Sequence, residues 1–237
     1  MFGRDRGVTV LGYHLVGADT PSVVDVPLGD FRRHVEYLRR RLNVIAPKQV
    51  LGGGRGAVLT FDDGFANFSE VVWPVLRELG VPVILFVPTG FVDETSPSPL
   101  SGAPLKPVTW NDLRRMAREG LSVGSHSVTH RDLRRLSDKE LHWELWRSQQ
   151  RLQDELGIPI EDICYPQAKW DARVTSAARR YYLRGFVAGG RRAQPEQNPL
   201  AIPRFPIKRS LKRFELLARS RRWWPEVAAD QLRRMRA

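Results

Sequence analysis

A chain of 237 residues with 42% hydrophobic and 27% charged side chains has globular composition, which excludes collagen, coiled coil and disorder. Its single cysteine, Cys164, excludes an internal disulfide and a thiolate zinc ribbon, so any metal site must use His and carboxylates. The formal net charge of +12 invites nucleic acid or an anionic membrane, but Arg is scattered over the polar faces of every helical segment, and a solvated, Arg-biased surface is the simpler reading.

In chain order, residues 1–7 are too polar and too short for a signal peptide, and no stretch approaches the roughly 18 apolar residues of a membrane span. The expected location is therefore cytoplasmic. A first strand is expected over residues 8–13, followed by a helix whose apolar stripe is Phe31, Val35, Leu38 and Leu42. A second strand over 57–61 leads to a helix with Val71, Val75, Leu76 and Leu79, ended by Gly80. The third strand, 83–87, runs into residues 88–107, which are rich in Pro, Ser and Gly, lack periodicity and read as a long functional or mobile loop. A helix capped at Asn111 and ended by Gly120 precedes a strand over 121–123. Ser137 and Glu140 form a capping box for a helix carrying Leu141, Leu145, Leu152 and Leu156 and ended by Gly157. Strands over 160–165, 185–188 and 202–207 complete the set, with an N-cap at Asp171 between the first two.

Strand and helix alternate without a composition break, so residues 1–237 read as one domain of parallel strands joined by right-handed crossovers. An open doubly wound sheet and a closed barrel both fit. Seven units favour the barrel, a deformed TIM-like (β/α)7 form. Residues 211–237 read as one or two basic helices carrying Trp223 and Trp224, packed on the barrel or, as the lesser reading, in peripheral contact with a membrane.

In such a barrel the reacting groups stand at the carboxyl ends of the strands. His14 follows the first strand, Asp62 and Asp63 the second, His126 and His130 the fourth, and Tyr165 and Pro166 close the fifth. Two adjacent carboxylates at the end of a buried strand repel each other unless a cation is near. If the chain turns helically after the fourth strand, His126 and His130 share a face, and with one Asp they supply three ligands and leave a position for water. Alone, the histidine spacing is weak and paired Asp more often mark a turn or cap; together at strand ends they point to a metal.

The runs Thr60-Phe61-Asp62-Asp63-Gly64 and Ser125-His126-Ser127-Val128-Thr129-His130 resemble the first two motifs of the polysaccharide deacetylases, the NodB-homology group of carbohydrate esterase family 4. The resemblance implies hydrolysis of an acetyl group, N-acetyl above O-acetyl, from a carbohydrate or sugar-containing precursor. It implies one divalent metal on Asp63, His126 and His130, zinc first with cobalt or nickel as alternatives, and Asp62 as general base. The family's acid is a His in a Leu-x-x-His motif near the C-terminus, where this chain has none. Leu11-Gly12-Tyr13-His14 fits that motif on the first strand, which neighbours the last in a closed barrel, so a circularly permuted motif order assigns the acid to His14. The role requires His14 on the side of the metal away from Asp62; the alternative is a core or capping His.

The third motif also departs from the family, because Cys164-Tyr165-Pro166-Gln167 has Cys164 where the family has the Arg that orients the base. Arg204 is the candidate replacement, with Lys169 behind it, and Cys164 then reads as a buried inert thiol. Pro166 fits the motif, the Gln167 amide is placed to serve the oxyanion, and Trp170 is the candidate platform for a sugar ring. The expected partner is an N-acetylated sugar, glycoside or polysaccharide precursor, with no nucleic acid. A catalytically impaired sugar-binding protein on the same fold is the alternative; paired carboxylates argue against it. A nucleic-acid-binding role rests on charge alone.

Overall fold

The computed structural model describes residues 7–100 and 105–209. The expected helices over 211–237, with Trp223 and Trp224, lie outside the described residues. In chain order the elements are β1 (Gly7–Tyr13), β2 (Leu15–Val16), β3 (Asp25–Val26), α1 (Leu28–Arg41), β4 (Arg55–Phe61), α2 (Trp73–Glu78), β5 (Val83–Val87) and α3 (Thr89–Val92). They continue with α4 (Trp110–Arg118), β6 (Ser122–Ser125), α5 (Asp138–Leu156), β7 (Asp162–Cys164), α6 (Ala172–Ala178), β8 (Arg184–Ala188) and β9 (Ile202–Pro206). Seven of these strands close into a parallel barrel in the order β1, β4, β5, β6, β7, β8, β9, and the β1–β9 seam pairs Leu11 with Phe205. All seven expected strands are present, shifted by a residue or two at their ends. The short β2 and β3 pair separately beside the barrel mouth.

Alternation along the strands divides the core in two. Val8, Val10, Val58, Ile84, Phe86, Cys164, Phe186 and Ile202 fill the barrel interior as one cluster. Their neighbours Leu11, Leu59, Leu85, Val123, Ile163 and Val187 face outward into the layer packed by the helices. Continuing the inward rows toward the carboxyl ends reaches Gly12 on β1, Thr60 and then Asp62 at the end of β4, His126 beyond β6 and Arg204 on β9, so the top layer of the interior is polar. Gly12 leaves room there: a Cβ at that position would come into van der Waals contact with the Arg204 guanidinium at 3.4 Å.

The helices follow their apolar stripes. Phe31, His34, Val35 and Leu38 are the buried face of α1. The Ser137 and Glu140 capping box opens α5, Gly157 closes it at φ 66°, and Asp171 caps α6. The expected cap at Asn111 gives way to Thr109, whose hydroxyl accepts from the Asp112 amide at 3.1 Å, while Asn111 instead accepts from Arg114. Residues 88–107 are not all loop: α3 opens the segment, and Asp93 ties its end to Arg151 of α5 and the Trp110 indole. No helix among the described residues is long and apolar enough to cross a membrane.

Candidate active site

The register of β1 against β4 pairs Tyr13 with Phe61, which sets His14 beside Asp62 at the barrel mouth. His14, Asp62, Asp63, His126, His130 and Arg204 all line one cleft of about 330 Å³. Its outer wall comes from Val24 next to β3, from Pro99 and Leu100 after α3, and from Lys208.

Arg204 grips Asp62 at two points, Nη1 donating to Oδ1 and Nη2 to Oδ2, each at 2.7 Å. Nη1 also donates to the Thr60 hydroxyl at 2.7 Å, and Nη2 lies 2.8 Å from the Cys164 sulfur. The guanidinium thus fills the space above Cys164 that a side chain at the fifth strand would otherwise use. Burial pushes the Asp62 carboxyl up, but the charge and hydrogen bonds of Arg204, together with the nearby His126 and His14, outweigh it and hold the carboxyl below its ordinary value. Lys169 pairs instead with Asp132 at 3.6 Å, so of the two candidate cations Arg204 meets Asp62. His14 Nε2 lies 3.7 Å from Asp62 Oδ2, on the same side as the carboxylate and not across the site from it.

Asp63 would point away from Asp62 in a regular strand. Its φ of 74° breaks the alternation, so both carboxylates reach the cleft. Asp63 Oδ1 stands 3.5 Å from His126 Nε2 and 3.3 Å from His130 Nε2. Burial raises the Asp63 carboxyl, yet hydrogen bonds from the two imidazoles hold it far below its ordinary value, whereas burial lowers His130.

The expected helical turn after the fourth strand is absent. Ser127 and His130 both have left-handed backbone, φ 64° and 55°, and this irregular loop brings the two imidazoles to 4.9 Å between centroids. Such conformations cost about 1–3 kcal/mol each and persist only where surroundings impose them. Here the imposing contacts account for every backbone amide of the loop. His126 N donates to Val87 O, Ser127 N to the Ser125 hydroxyl, and His130 N to the Ser127 hydroxyl. The Val128 and Thr129 amides both donate to Glu144 Oε2, at 2.8 and 2.9 Å. On the carbonyl side, Ser127 and Val128 accept from the Thr89 and Gly90 amides of α3, and His130 accepts from the Gln167 side chain at 3.0 Å.

Among the described residues, two groups of side chains have metal-ligand spacing: Asp63, His126 and His130, and Asp62, His126 and Cys164. They share His126, so one ion at most can use it. In the second group Asp62 is committed to Arg204, burial raises the Cys164 thiol and disfavours a thiolate, and a guanidinium touches the sulfur. The first group has no such cation in contact. His126 Nδ1 lies 2.6 Å from the Cys164 carbonyl, which fixes that nitrogen as a donor and makes Nε2, the nitrogen that donates to Asp63 when no ion is bound, the one that would face a metal. Two imidazole nitrogens and one carboxylate oxygen converging on a buried point fit a divalent ion of the zinc type.

The third-motif residues divide. Tyr165, Gln167 and Ala168 line the cleft, the backbone turning through φ 57° at both Gln167 and Ala168. Pro166 is buried beneath that turn. Trp170 packs half-buried against the helical layer of the core and is not among the residues lining the cleft; Tyr165 borders the cleft, but its ring is buried in the core with the hydroxyl donating to the Leu200 carbonyl at 3.0 Å. Sequence reasoning passed over Glu144. Its signal was readable, because Glu144 and Ser148 interrupt the buried stripe of Leu141, Leu145 and Leu152 on α5.

The family model for polysaccharide deacetylase matches residues 52–186, a span holding Asp62, Asp63, His126 and His130. Over 208 residues the chain is 21% identical to the Bacillus subtilis protein YxkH, whose name places it among the polysaccharide deacetylases, covering 84% of this chain and 70% of that one. In fold it is similar to the Streptococcus pyogenes deacetylase PplD, solved in complex with acetate, with a TM-score of 0.78 and 20% identity over 90% of this chain and 99% of that one. IcaB from Ammonifex degensii gives a TM-score of 0.72 and 18% identity over 90% of this chain and 96% of the other. At these identities the structural likeness speaks for the barrel, while the sequence match extends over more than half the chain and includes the paired carboxylates and the histidine loop. On that match, the chain belongs to the polysaccharide deacetylase family.

Proposed function

We propose that this protein is a metal-dependent carbohydrate de-N-acetylase, with Asp63, His126 and His130 as ligands of one divalent ion, zinc before cobalt or nickel. The observation that carries the reading is the separation of the adjacent carboxylates: Asp62 belongs to Arg204 and Asp63 to the two histidines. A bound ion of this type lowers the pKa of water and polarises an acetyl carbonyl.

The remaining steps belong to the side chains. Asp62, kept ionised by Arg204, accepts the proton of the attacking water, and Arg204 keeps the carboxylate pointed at the cleft. His14, the one cleft-lining imidazole among the described residues outside the metal group, delivers a proton to the leaving nitrogen, but from the side of Asp62 and not from the opposite side that the sequence reading required. Its place 3.7 Å from Asp62 supports a reset in which the proton taken by Asp62 returns to His14 after the amine departs. The Gln167 backbone, in its left-handed turn at the cleft wall, is the candidate donor to the oxyanion.

The test is acetate release from N-acetylated sugars of increasing size, with metal content measured in parallel. Asp62→Asn is expected to keep its zinc and lose about a hundredfold or more in turnover, the usual contribution of a positioned base. His126→Ala is expected to lose both zinc and activity. Near-full turnover in the first variant, or stoichiometric zinc in the second, refutes the assignment.

A further inference from the structure

Glu144 is a fully buried carboxylate in the middle of an apolar helix stripe, and burying an ion there is costly unless its surroundings repay it. Those surroundings are specific. One oxygen takes the Val128 and Thr129 amides; the other takes the Thr129 hydroxyl in a short contact and has the Arg131 guanidinium 3.6 Å away. The two amides lie between the two left-handed residues, Ser127 and His130. One helical turn further along α5, the Ser148 hydroxyl meets that of Ser125 at 2.8 Å, and Ser125 in turn accepts from the Ser127 amide. Two polar residues of α5 therefore hold the path of the loop from beneath.

We infer that Glu144 is a positioning residue that shapes the 126–130 loop so that His130 meets the metal together with His126 and Asp63. The inference rests on the metal-site reading above. Without Glu144 the Val128 and Thr129 amides lose their acceptor, the contacts from Thr89, Gly90, Ser125 and Gln167 alone hold the left-handed Ser127 and His130, and a loop that relaxes moves the His130 ring away from Asp63. Ligand orientation by groups outside the coordination sphere typically changes metal affinity by about 10–100-fold. That is the effect expected here, without Glu144 touching metal or substrate.

The experiment titrates zinc into the metal-free full-length protein by competition with a chromophoric chelator, follows the visible absorption of the cobalt form, and records the thermal melt of each metal-free variant. Glu144→Ala is expected to weaken zinc binding about 10–100-fold and to alter the cobalt spectrum. Glu144→Gln keeps an oxygen able to accept from both amides and should stay within about threefold of the parent, a rescue that a role resting on the negative charge would not predict. Glu144→Asp keeps the charge but shortens the reach, so it should behave like the alanine variant. Parent-like zinc affinity in a folded Glu144→Ala, or in Glu144→Asp should the alanine variant not fold, overturns the proposal. Absence of zinc binding in the parent, or zinc binding unaffected by His126→Ala, instead brings down the metal reading on which it rests.

Discussion

The two halves of the cleft are built by different means. Asp62 and Arg204 stand on inward rows of β4 and β9, and the strand register alone brings them together across β1. His126 and His130 stand on a loop without secondary structure, held by groups from α3, α5 and the turn after β7. The first half inherits the rigidity of a closed barrel, in which no strand can slip without moving every neighbour. The second half is only as accurate as its clamps. A mutation outside the reacting groups should therefore do little to the strand half unless it unpairs a charge, but should disturb the loop half from a distance, as Glu144 is expected to do.

The sharpest way to break the strand half is to unpair its buried charge. Arg204→Met leaves Asp62 without a partner while roughly conserving volume, and the expected loss of stability is about 3–5 kcal/mol, read from urea unfolding. The Asp62 carboxyl should then rise, so the acid limb of the pH–rate profile should move to higher pH. A loss below about 1 kcal/mol would mean that the pair is solvated and that register does not impose it.

His14 tests whether the first strand contributes chemistry or only a wall. His14→Ala should slow hydrolysis of an N-acetyl amide by about a hundredfold or more while sparing an activated acetyl ester, whose leaving group needs no proton. Equal losses on both substrates would make His14 a structural residue and leave the acid to another group.

A smaller effect is expected behind the strand half, where His34 of α1 meets the Tyr13 hydroxyl at 3.2 Å. Burial lowers the His34 pKa from 6.5 to about 4. Between those values the unfolded chain takes up a proton that the folded chain refuses, so the stability is full above pH 6.5, falls as the pH drops through the window and levels off below about 4. The contribution is about 2 kcal/mol after allowance for solvent screening. Melts of the parent and His34→Gln from pH 8 down to about 4 should diverge in slope within this window, and parallel curves would show that His34 is charged in the fold.

Much of the barrel was legible because its signals are local. Apolar runs, helical stripes, the Ser137 capping box and the glycines after α2, α4 and α5 are each decided within a few residues, and all seven barrel strands were found this way. Asn111 was misread as a cap because Thr109, two residues earlier, is as good an acceptor, and the competition is settled by where the helix packs. The paired carboxylates and the histidines were legible as motif residues. The path between the histidines was not, since a spacing of four suggests a helical turn and only the clamps from Glu144, Thr89 and Gly90 impose the irregular one.

By itself, then, the sequence determined the order of strands and helices, the inward rows and the identity of the groups at the strand ends, because alternation and capping depend on near neighbours. Closure of β9 onto β1 was decided only by the tertiary structure, and with it the meeting of Arg204, Cys164 and Asp62 and the place of His14 beside that carboxylate. So was the packing of Trp170 in the helical layer, outside the cleft. These contacts join residues more than a hundred positions apart in several cases, and their energies are short-ranged: a guanidinium recognises a carboxylate at hydrogen-bond distance, and no local pattern records which strand will bring it there.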